Sequence, residues 1–276
     1  MTGAQLRRSG LWADKRLGQH FLLDPRVLGR IAAAAGDLAG VTVLEVGPGP
    51  GGLTAALLRA GAARVVAVER DPRFVVHLRA LEAEAAGRLT VIEGDALALD
   101  LAVAVPEGRP LRVVANLPYN VATPLLFGWL ERLERIERLV LMFQKEVALR
   151  LTAEPGGADY GRLAVMAQSL CLVERLFDLP PAAFTPPPKV SSSVVRLTPR
   201  ADRPPPELRH ALTAVTRAAF GQRRKMLRQS LKALGGDPLA LLAATGIEPT
   251  RRAEELTLEE FRRLAELSTT GGVKVG

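Results

Sequence analysis

Five short apolar segments, each separated from the next by a helix-like stretch, constrain the fold of this chain more than any other feature. The segments are Val41–Val46, Arg64–Glu69, Leu89–Glu93, Leu111–Ala115 and Arg138–Gln144. Continuous apolar strands that alternate with helices are typical of a parallel β-sheet covered on both faces. Right-handed crossovers between such strands give a doubly wound α/β fold, in which ligands bind at the carboxyl ends of the strands. We therefore expect an α/β domain with its functional site at that edge of the sheet.

Two later segments and two helix-start signals extend this prediction. Leu172–Asp178 and Ser192–Thr198 flank a proline-rich stretch, Phe184–Lys189, and are predicted to form an antiparallel hairpin at the sheet edge. Asp24-Pro25 and Asp71-Pro72 each place a capping side chain before a proline at the first helical position. This arrangement predicts that a helix begins at each proline.

The composition changes near residue 200 and indicates a second domain. Asp202–Pro206 (DRPPP) has the composition of a stiff linker, and only helical periodicity follows it. We expect residues 1–200 to form the α/β domain and residues 201–276 to form a small, all-helical domain. Residues 1–23 are predicted to form an N-terminal arm. The basic residues of this arm are Arg7, Arg8, Lys15 and Arg16.

Charge and composition restrict the partners of the chain. It carries 37 Lys and Arg against 29 Asp and Glu, a formal net charge of +8, which favours an anionic partner such as nucleic acid. A single cysteine, Cys171, and three scattered histidines exclude an internal disulfide and argue against a metal site. The chain has neither an apolar run of the roughly 18–20 residues that a membrane span needs nor a secretory signal at its N-terminus. We therefore expect a cytoplasmic protein that uses no metal and contacts no membrane.

A glycine-rich segment follows the first predicted strand. Gly47, Gly49 and Gly52 satisfy the pattern G-x-G-x-x-G between a strand and a helix. Glu69, at the end of the second strand, is an acid where a ribose ligand is expected. These residues predict a nucleoside-binding βαβ unit, and an NAD-dependent dehydrogenase is one enzyme class that contains such a unit.

Two features of the same segment argue against NAD. Pro48 and Pro50 lie among the glycines and remove N–H donors that a pyrophosphate would use. Glu45 precedes the glycines, an arrangement that resembles motif I of the S-adenosylmethionine-dependent methyltransferases, whose cofactor has cationic sulfonium and ammonium groups but no phosphate. After the third strand, Asp95 is an acid that can accept a hydrogen bond from the adenine amine of this cofactor.

The chain has only two asparagines, Asn116 and Asn120, and both lie within five residues after the fourth strand. The segment Asn116-Leu117-Pro118-Tyr119 resembles the motif of amino methyltransferases that act on adenine, cytosine or glutamine nitrogen. The exocyclic amine of adenine is a poor nucleophile because its lone pair is delocalised into the ring. Acceptors on the Asn116 side chain and the Leu117 carbonyl can hold the two N–H groups and aim the lone pair at the methyl group. Pro118 fixes the turn, and Tyr119 offers a face for stacking a base that has been flipped out.

Together with these motifs, the whole chain resembles the ribosomal RNA adenine N6,N6-dimethyltransferases, specifically their bacterial small-subunit (KsgA/RsmA) branch. Five further segments match, in the family's order, between residue 18 and about residue 231. They are Gly18–Asp24, Phe143–Val147, Tyr160–Leu163, Phe184–Val190 and Ala219–Lys225. The resemblance implies a Rossmann-like class I S-adenosylmethionine-dependent methyltransferase sheet with a small helical RNA-binding domain at the C-terminus. We expect a monomer.

The resemblance also implies the site residues. The positions that match cofactor contacts of the family are His20, Leu22, Gly47, Glu69, Asp95 and Asn116. The positions that would hold the target adenine are Asn116, Leu117 and Tyr119, with Pro118 fixing the turn and Phe184 as a second stacking wall. His20 stands where the family usually has Asn, and a histidine ring nitrogen can also donate or accept a hydrogen bond.

The substrate of the family is a pair of adjacent adenines in the hairpin near the 3′ end of 16S rRNA in the 30S subunit, and each adenine is methylated twice. The segment Pro206–Leu234 fits an RNA partner of this kind, because it contains seven basic residues and only one acid, Glu207. The basic residues are Arg209, Arg217, Arg223, Arg224, Lys225, Arg228 and Lys232. Of these, Arg217, Arg224 and Arg228 are predicted to share one helical face.

Two alternatives within RNA biology stay open. A large-subunit rRNA adenine methyltransferase of the macrolide-resistance type shares motif I and the Asn-x-Pro-Tyr turn. A non-catalytic rRNA-binding assembly factor, or a transcription factor derived from the same fold, would share the scaffold. A role in small-subunit biogenesis is compatible with catalysis.

Overall fold

The structure is a computed structural model that describes residues 3–14, 18–105, 109–222 and 224–270. The chain forms two compact units, which are treated separately below. The first unit consists of Met1–Ala148 and Glu174–Thr198, and the second of Leu149–Val173 and Pro199–Gly276. Within the described ranges, no helix is both long enough and apolar enough to cross a membrane.

Nine strands lie in the described part of the chain. They are β1 (Phe21–Leu22), β2 (Thr42–Val46), β3 (Arg64–Glu69), β4 (Leu89–Glu93), β5 (Leu111–Asn116), β6 (Ile136–Gln144), β7 (Cys171–Leu179), β8 (Phe184–Thr185) and β9 (Ser192–Pro199). Seven of them form one sheet in the order β4-β3-β2-β5-β6-β9-β7, and β1 pairs with β8 apart from it. Strands β2 to β6 are parallel, and β9 is antiparallel to β6. The predicted α/β sheet is therefore confirmed, and the two late strands are neighbours at one edge.

The central strands β2 and β3 are buried along almost their whole length. All five residues of β2 and five of the six in β3 are buried, so both faces of these strands are covered. Val43, Val65 and Ala67 are among the core side chains with no exposed surface. Glu45 and Glu69 are the acidic exceptions in these two strands, and both reappear in the functional site.

Helices connect the strands of the first unit. They are α1 (Gly3–Arg8), α2 (Pro25–Ala34), α3 (Gly52–Arg59), α4 (Pro72–Glu84), α5 (Leu101–Ala104) and α6 (Tyr119–Leu130), and α7 (Lys145–Leu151) begins in this unit and ends in the second. Both predicted aspartate-proline helix starts are confirmed. The side chain of Asp24 accepts from the backbone N–H of Arg26 at the start of α2, and that of Asp71 accepts from Arg73 at the start of α4.

The described residues of the predicted arm, 3–14 and 18–23, contain regular structure and buried side chains. Helix α1 buries Leu6 completely, and Leu11 is 8% exposed. Strand β1 pairs antiparallel with β8, with Phe21 opposite Thr185 and Leu22 opposite Phe184. Apolar side chains among the basic ones anchor this segment. Of the four basic residues predicted for the arm, Arg7 and Arg8 lie in α1, and Lys15 and Arg16 lie outside the described residues.

The second unit is helical, and its limits differ from the predicted boundary at residue 200. Its helices are α8 (Arg162–Leu170), α9 (Pro206–Gly221), α10 (Leu227–Ser230), α11 (Pro238–Thr245) and α12 (Leu258–Thr270). Leu149–Val173 belongs to this unit because α8 packs against α9 and α12. The sequence prediction groups α8 with the strands that precede it.

The basic segment of the second unit also differs from the prediction. Arg217 lies in α9, Arg224 in the following turn and Arg228 in α10, so the three do not share one helix face. Arg209 is only 4% exposed, and its Nε donates to the carbonyl of Pro204 at 3.0 Å. The break after α9 corrects the expectation of one shared helical face, and the burial of Arg209 removes it from the exposed basic residues of the segment. Arg223 lies outside the described residues.

Candidate active site

An open cavity in the first unit lies at the carboxyl ends of four parallel strands. Its lining includes the last residues of β2, β3 and β5, namely Val46, Glu69 and Asn116, and Gly94 directly after β4. All six predicted cofactor contacts line it: His20, Leu22, Gly47, Glu69, Asp95 and Asn116. The cavity is also lined by Leu117, Pro118 and Tyr119. The two groups of predicted site residues therefore share one cavity, at the sheet edge where a doubly wound fold places its ligands.

Glu69 is held rigidly at the end of β3. Its carboxylate accepts three backbone N–H groups, those of Gly49 at 2.9 Å, Arg70 at 2.8 Å and Asp71 at 2.9 Å. Burial raises the pKa of Glu69, and the three N–H donors oppose this rise because they favour the charged form. A fixed carboxylate on the cavity wall is an acceptor suited to ribose hydroxyls.

The glycine loop approaches Glu69 closely because position 49 has no side chain. Gly49 has a φ of 51°, in the left-handed region that favours glycine. A Cβ at this position would lie 3.0 Å from the ring of Phe21 in β1. The same loop donates the N–H of Gly49 to Glu69. Glycine at position 49 therefore allows both the turn and the packing of β1 against the loop.

Glu45 is the second acid of the cavity and is 1% exposed. The hydroxyl of Thr54, in α3, donates to its Oε2 at 2.6 Å. Burial raises the pKa of Glu45 to about 8, and the nearby charge of Glu69 adds to the rise. Thr54 was not singled out from the sequence, although a hydroxyl nine residues after a buried acid, on the next helix, is a signal that could have found it.

Asp95 lies at the exposed rim of the cavity. Its side chain is 42% exposed, and Oδ1 accepts the backbone N–H of Leu97 at 3.0 Å. Oδ2 lies 3.5 Å from the guanidinium of Arg70, which also lines the cavity. The carboxylate is therefore accessible to a ligand amine, in competition with an exposed ion pair that contributes little energy.

Asn116 is oriented by the backbone of the N-terminal segment. Its Nδ2 donates to the carbonyl oxygen of His20 at 3.1 Å. An amide that donates through its nitrogen keeps its oxygen as an acceptor. The next residue, Leu117, is 2% exposed with a buried side chain, and it also lines the cavity. Pro118 precedes the first residue of α6, Tyr119, and fixes the turn between strand and helix.

Tyr119 and His20 form an aromatic pair on the cavity wall. Their ring centroids are 6.1 Å apart, and the rings are inclined by 28°. Nδ1 of His20 lies 2.8 Å from the carbonyl oxygen of Pro186, which places a proton on that nitrogen. The Tyr119 hydroxyl lies 2.7 Å from Oγ of Ser192. Burial raises the pKa of Tyr119, and the hydrogen bond to Ser192 opposes the rise.

Phe184 is placed differently from the other predicted site residues. It is 3% exposed, belongs to the hydrophobic core and is not among the described residues that line the cavity. Its backbone pairs with Leu22, which does line the cavity. The stacking role of Phe184 remains a prediction, and it requires the ring to leave its place in the core.

Gln19 is a site residue that the motif contained but that was not singled out. Its Nε2 donates to the Asp71 carboxylate at 3.1 Å, and its Oε1 accepts the backbone N–H of Asp14 at 2.8 Å. Asp71 in turn donates its backbone N–H to Glu69. Gln19 therefore connects the segment that carries His20 to the residues around the buried carboxylate.

Known proteins match this chain over almost its whole length. A model of the family described as "Ribosomal RNA adenine dimethylase" matches residues 11–270. The "Ribosomal RNA small subunit methyltransferase A" of Rhodospirillum rubrum is 57% identical over 263 residues, which cover 95% of this chain and 90% of that protein. The protein of the same name from Agrobacterium fabrum is 56% identical, with 94% of each chain covered.

Solved structures are similar over most of the chain. A dimethyladenosine transferase from Plasmodium falciparum has a TM-score of 0.78 at 26% identity and covers 92% of this chain and 99% of its own. The 23S rRNA methyltransferase ErmE has a TM-score of 0.66 at 27% identity, with 89% of this chain and 98% of its own covered.

Proposed function

Because the chain belongs to the ribosomal RNA adenine dimethylase family, we propose that it methylates two adjacent adenines in the 3′-terminal hairpin of 16S rRNA. The methyl groups pass from S-adenosylmethionine to the N6 amines, twice at each adenine, in the 30S subunit. The observation that carries this proposal is the shared cavity, in which the Asn116-to-Tyr119 turn and the buried acids Glu45 and Glu69 line one space.

The residues present fit S-adenosylmethionine. Glu69 presents a fixed carboxylate to ribose hydroxyls, and Asp95 presents an exposed one to the adenine amine. Pro48 and Pro50 line the cavity without N–H donors, which disfavours a pyrophosphate at this loop. His20, Leu22 and Gly47 complete the proposed cofactor contacts. When bound, this cofactor supplies the methyl group on its sulfonium.

The turn after β5 holds the amine that is methylated. The Asn116 side-chain oxygen and the Leu117 carbonyl accept its two N–H groups. They thereby aim the nitrogen lone pair at the methyl group of the cofactor. Tyr119 stacks on the flipped base, with Phe184 as the second wall if its ring leaves the core. No strong base is needed at the attack step, since the proton can leave after transfer. Catalysis then comes mainly from proximity and orientation.

The second unit supplies contacts to the RNA backbone. Its exposed basic residues in the segment after the proline linker are Arg217, Arg224, Lys225, Arg228 and Lys232. Contacts of this kind position an RNA through its phosphates rather than read its sequence. The burial of Arg209 removes it from this group.

The small-subunit target is favoured over a large-subunit target by the level of similarity. The small-subunit methyltransferases of R. rubrum and A. fabrum are 57% and 56% identical to this chain, whereas ErmE is 27% identical. We further propose that the enzyme works as a cytoplasmic monomer without a metal, and that its action is linked to small-subunit biogenesis. Light scattering tests whether the protein is a monomer. Assays in the presence of chelators test whether methyl transfer needs a metal.

One experiment tests the proposed function directly. The protein is incubated with labelled S-adenosylmethionine and 30S particles that lack these methyl groups, and the product is mapped by primer extension. We expect label at two adjacent adenines of the 3′-terminal hairpin. Fully methylated 30S particles and 50S subunits serve as controls that should not accept label. Labelling of 23S rRNA instead, or of no RNA, contradicts the proposal.

A further inference from the structure

Ser192 is a polar residue at a fully buried position beside the cavity. It is the first residue of β9 and has no exposed surface. It is absent from the described residues that line the cavity, so it lies behind the wall. Its hydroxyl is 2.7 Å from that of Tyr119. Since a buried hydroxyl normally needs a partner, this bond accounts for a serine at a position otherwise suited to an apolar side chain.

The bond restrains the aromatic face of Tyr119. A tyrosine side chain turns about only two torsions, and its backbone is already fixed at the start of α6. A hydrogen bond at the far end of the ring fixes the direction of the ring axis. Because a phenolic O–H prefers to lie in the plane of its ring, the position of the Ser192 hydroxyl also favours one ring plane. The His20 ring, inclined by only 28° to this plane, is itself held through Nδ1 by the Pro186 carbonyl. Both members of the aromatic pair are thus tied to the segment that runs from β8 into β9.

Resting on the proposed function, we propose that Ser192 is a positioning residue for adenine capture, which acts by holding the Tyr119 ring in the orientation that stacks on the target base. Ser192 touches neither the base nor the methyl donor. Its effect is on the fraction of bound RNA whose flipped adenine is correctly seated. Loss of the bond should therefore lower kcat more than it raises KM for the 30S particle.

The neighbouring residue provides a matched control. Ser193 also has no exposed surface, but its hydroxyl donates to the Asp178 carboxylate at 2.8 Å. Successive side chains of a strand point to opposite faces, so the two serines serve different partners. Ser193→Ala removes a buried hydroxyl from the same strand without touching Tyr119. It therefore reports the purely structural cost of such a deletion.

The kinetic test compares Ser192→Ala, Ser193→Ala, Tyr119→Phe and the double variant Ser192→Ala/Tyr119→Phe on under-methylated 30S particles. We expect Ser192→Ala to lower kcat by about three- to tenfold, the range expected for loss of one neutral hydrogen bond, with KM unchanged within about twofold. Ser193→Ala should retain the wild-type kcat. The double variant should match Tyr119→Phe, because either change breaks the same bond. Equal kcat values for the two serine variants, or multiplicative losses in the double variant, overturn the proposal.

A second readout does not depend on methyl transfer. The chain has two tyrosines, Tyr119 and Tyr160, so ring-labelled tyrosine gives two sets of NMR signals, which Tyr119→Phe assigns. Ser192→Ala should shift or broaden only the Tyr119 signals, and Ser193→Ala should leave them in place. Unmoved Tyr119 signals overturn the proposed restraint.

The two readouts separate this proposal from the proposed function. If wild-type protein fails to methylate 30S particles, the proposed function fails, and the NMR comparison still decides whether Ser192 restrains Tyr119. If Ser192→Ala does not fold, Tyr119→Phe breaks the bond from the other side. Its kcat must then fall at unchanged KM for the proposal to stand.

Discussion

The side-chain nitrogen of Asn116 donates a hydrogen bond to the backbone carbonyl of His20 across 3.1 Å, between positions 96 residues apart in the chain. This bond assigns the two ends of the amide, because the nitrogen is occupied and the oxygen remains an acceptor. It also shows that the N-terminal segment orients the residue proposed to hold the target amine. Two of the predictions below depend on it.

Asn116→Ala is expected to lower kcat for methyl transfer by about a hundredfold or more, because it removes both an acceptor for the amine and the anchor to His20. RNA affinity should change little, since the proposed phosphate contacts lie in the second unit. Single-turnover rates and filter binding of rRNA measure the two effects, with circular dichroism as the check on folding. Wild-type turnover would exclude the proposed role.

His20→Asn is expected to leave turnover within about twofold of wild type. The bond to Asn116 uses the backbone carbonyl of residue 20, which the substitution keeps, and an asparagine amide can still donate to the Pro186 carbonyl. Steady-state kinetics in both substrates measure the outcome. A loss of tenfold or more would mean that the imidazole ring itself contributes, through its packing with Tyr119.

Glu45→Gln is expected to change how stability depends on pH. The pKa of Glu45 is raised to about 8 from 4.5, so between these values the folded protein holds a proton that the unfolded chain has lost. The carboxyl therefore destabilises the fold increasingly as pH rises through this window, by up to roughly 5 kcal/mol. The glutamine variant has no carboxyl to ionise. Its free energy of unfolding relative to wild type should therefore be greater at pH 8.5 than at pH 5.

Urea unfolding without cofactor at the two pH values measures this difference. Glu84→Gln serves as the control, because Glu84 is an exposed residue of α4 and should show no such gain. Parallel pH profiles for wild type and Glu45→Gln would mean that Glu45 is ionised in the folded protein at neutral pH.

Gly49→Ala is expected to weaken S-adenosylmethionine binding by about tenfold or more. Alanine is strained at a φ of 51°, and its Cβ would lie 3.0 Å from the Phe21 ring. To relieve the backbone strain or the contact with Phe21, the loop must move away from Glu69 or β1 must be displaced. Isothermal titration calorimetry measures the affinity. Gly29→Ala is the control and should bind S-adenosylmethionine normally, because a Cβ added at this position of α2 would meet no atom within 4 Å outside the helix backbone.

Replacing Arg224 and Arg228 together by glutamine is expected to weaken RNA binding and to reduce the slope of log affinity against log salt by about 1–2. The same charge change at Arg59 and Arg79, exposed residues of the first unit, is the control and should leave the slope intact. An unaltered slope in the Arg224/Arg228 variant would show that these residues do not contact phosphates.

Much of the first unit could be predicted because its signals are local. The apolar runs gave strands β2 to β6 within two residues of their ends, and the rule for doubly wound sheets located the cavity edge. Glu69, Asp95 and Asn116 are brought together because each ends or follows a parallel strand. Strand periodicity and topology were sufficient to predict this arrangement.

The remaining differences come from contacts between distant segments. Helical periodicity does not reveal that Arg209 faces the interior, or that α8 packs with helices that follow it by more than 35 residues. The partners Thr54, Gln19 and Ser192 are single polar residues whose roles depend on which strand end or helix end they meet. Phe184 shows the same limit, because its burial follows from the pairing of β8 with β1.

The pairing of β1 with β8 also determines when the cavity can be completed during synthesis. Leu22 and the carbonyl of His20 belong to a segment that pairs with Phe184 and is held by Pro186. A nascent chain that has reached residue 150 already contains every parallel strand. It still lacks β8, the strand that pairs with β1 at the N-terminal side of the cavity. Translation must therefore proceed through about two thirds of the protein before this wall of the cavity can form.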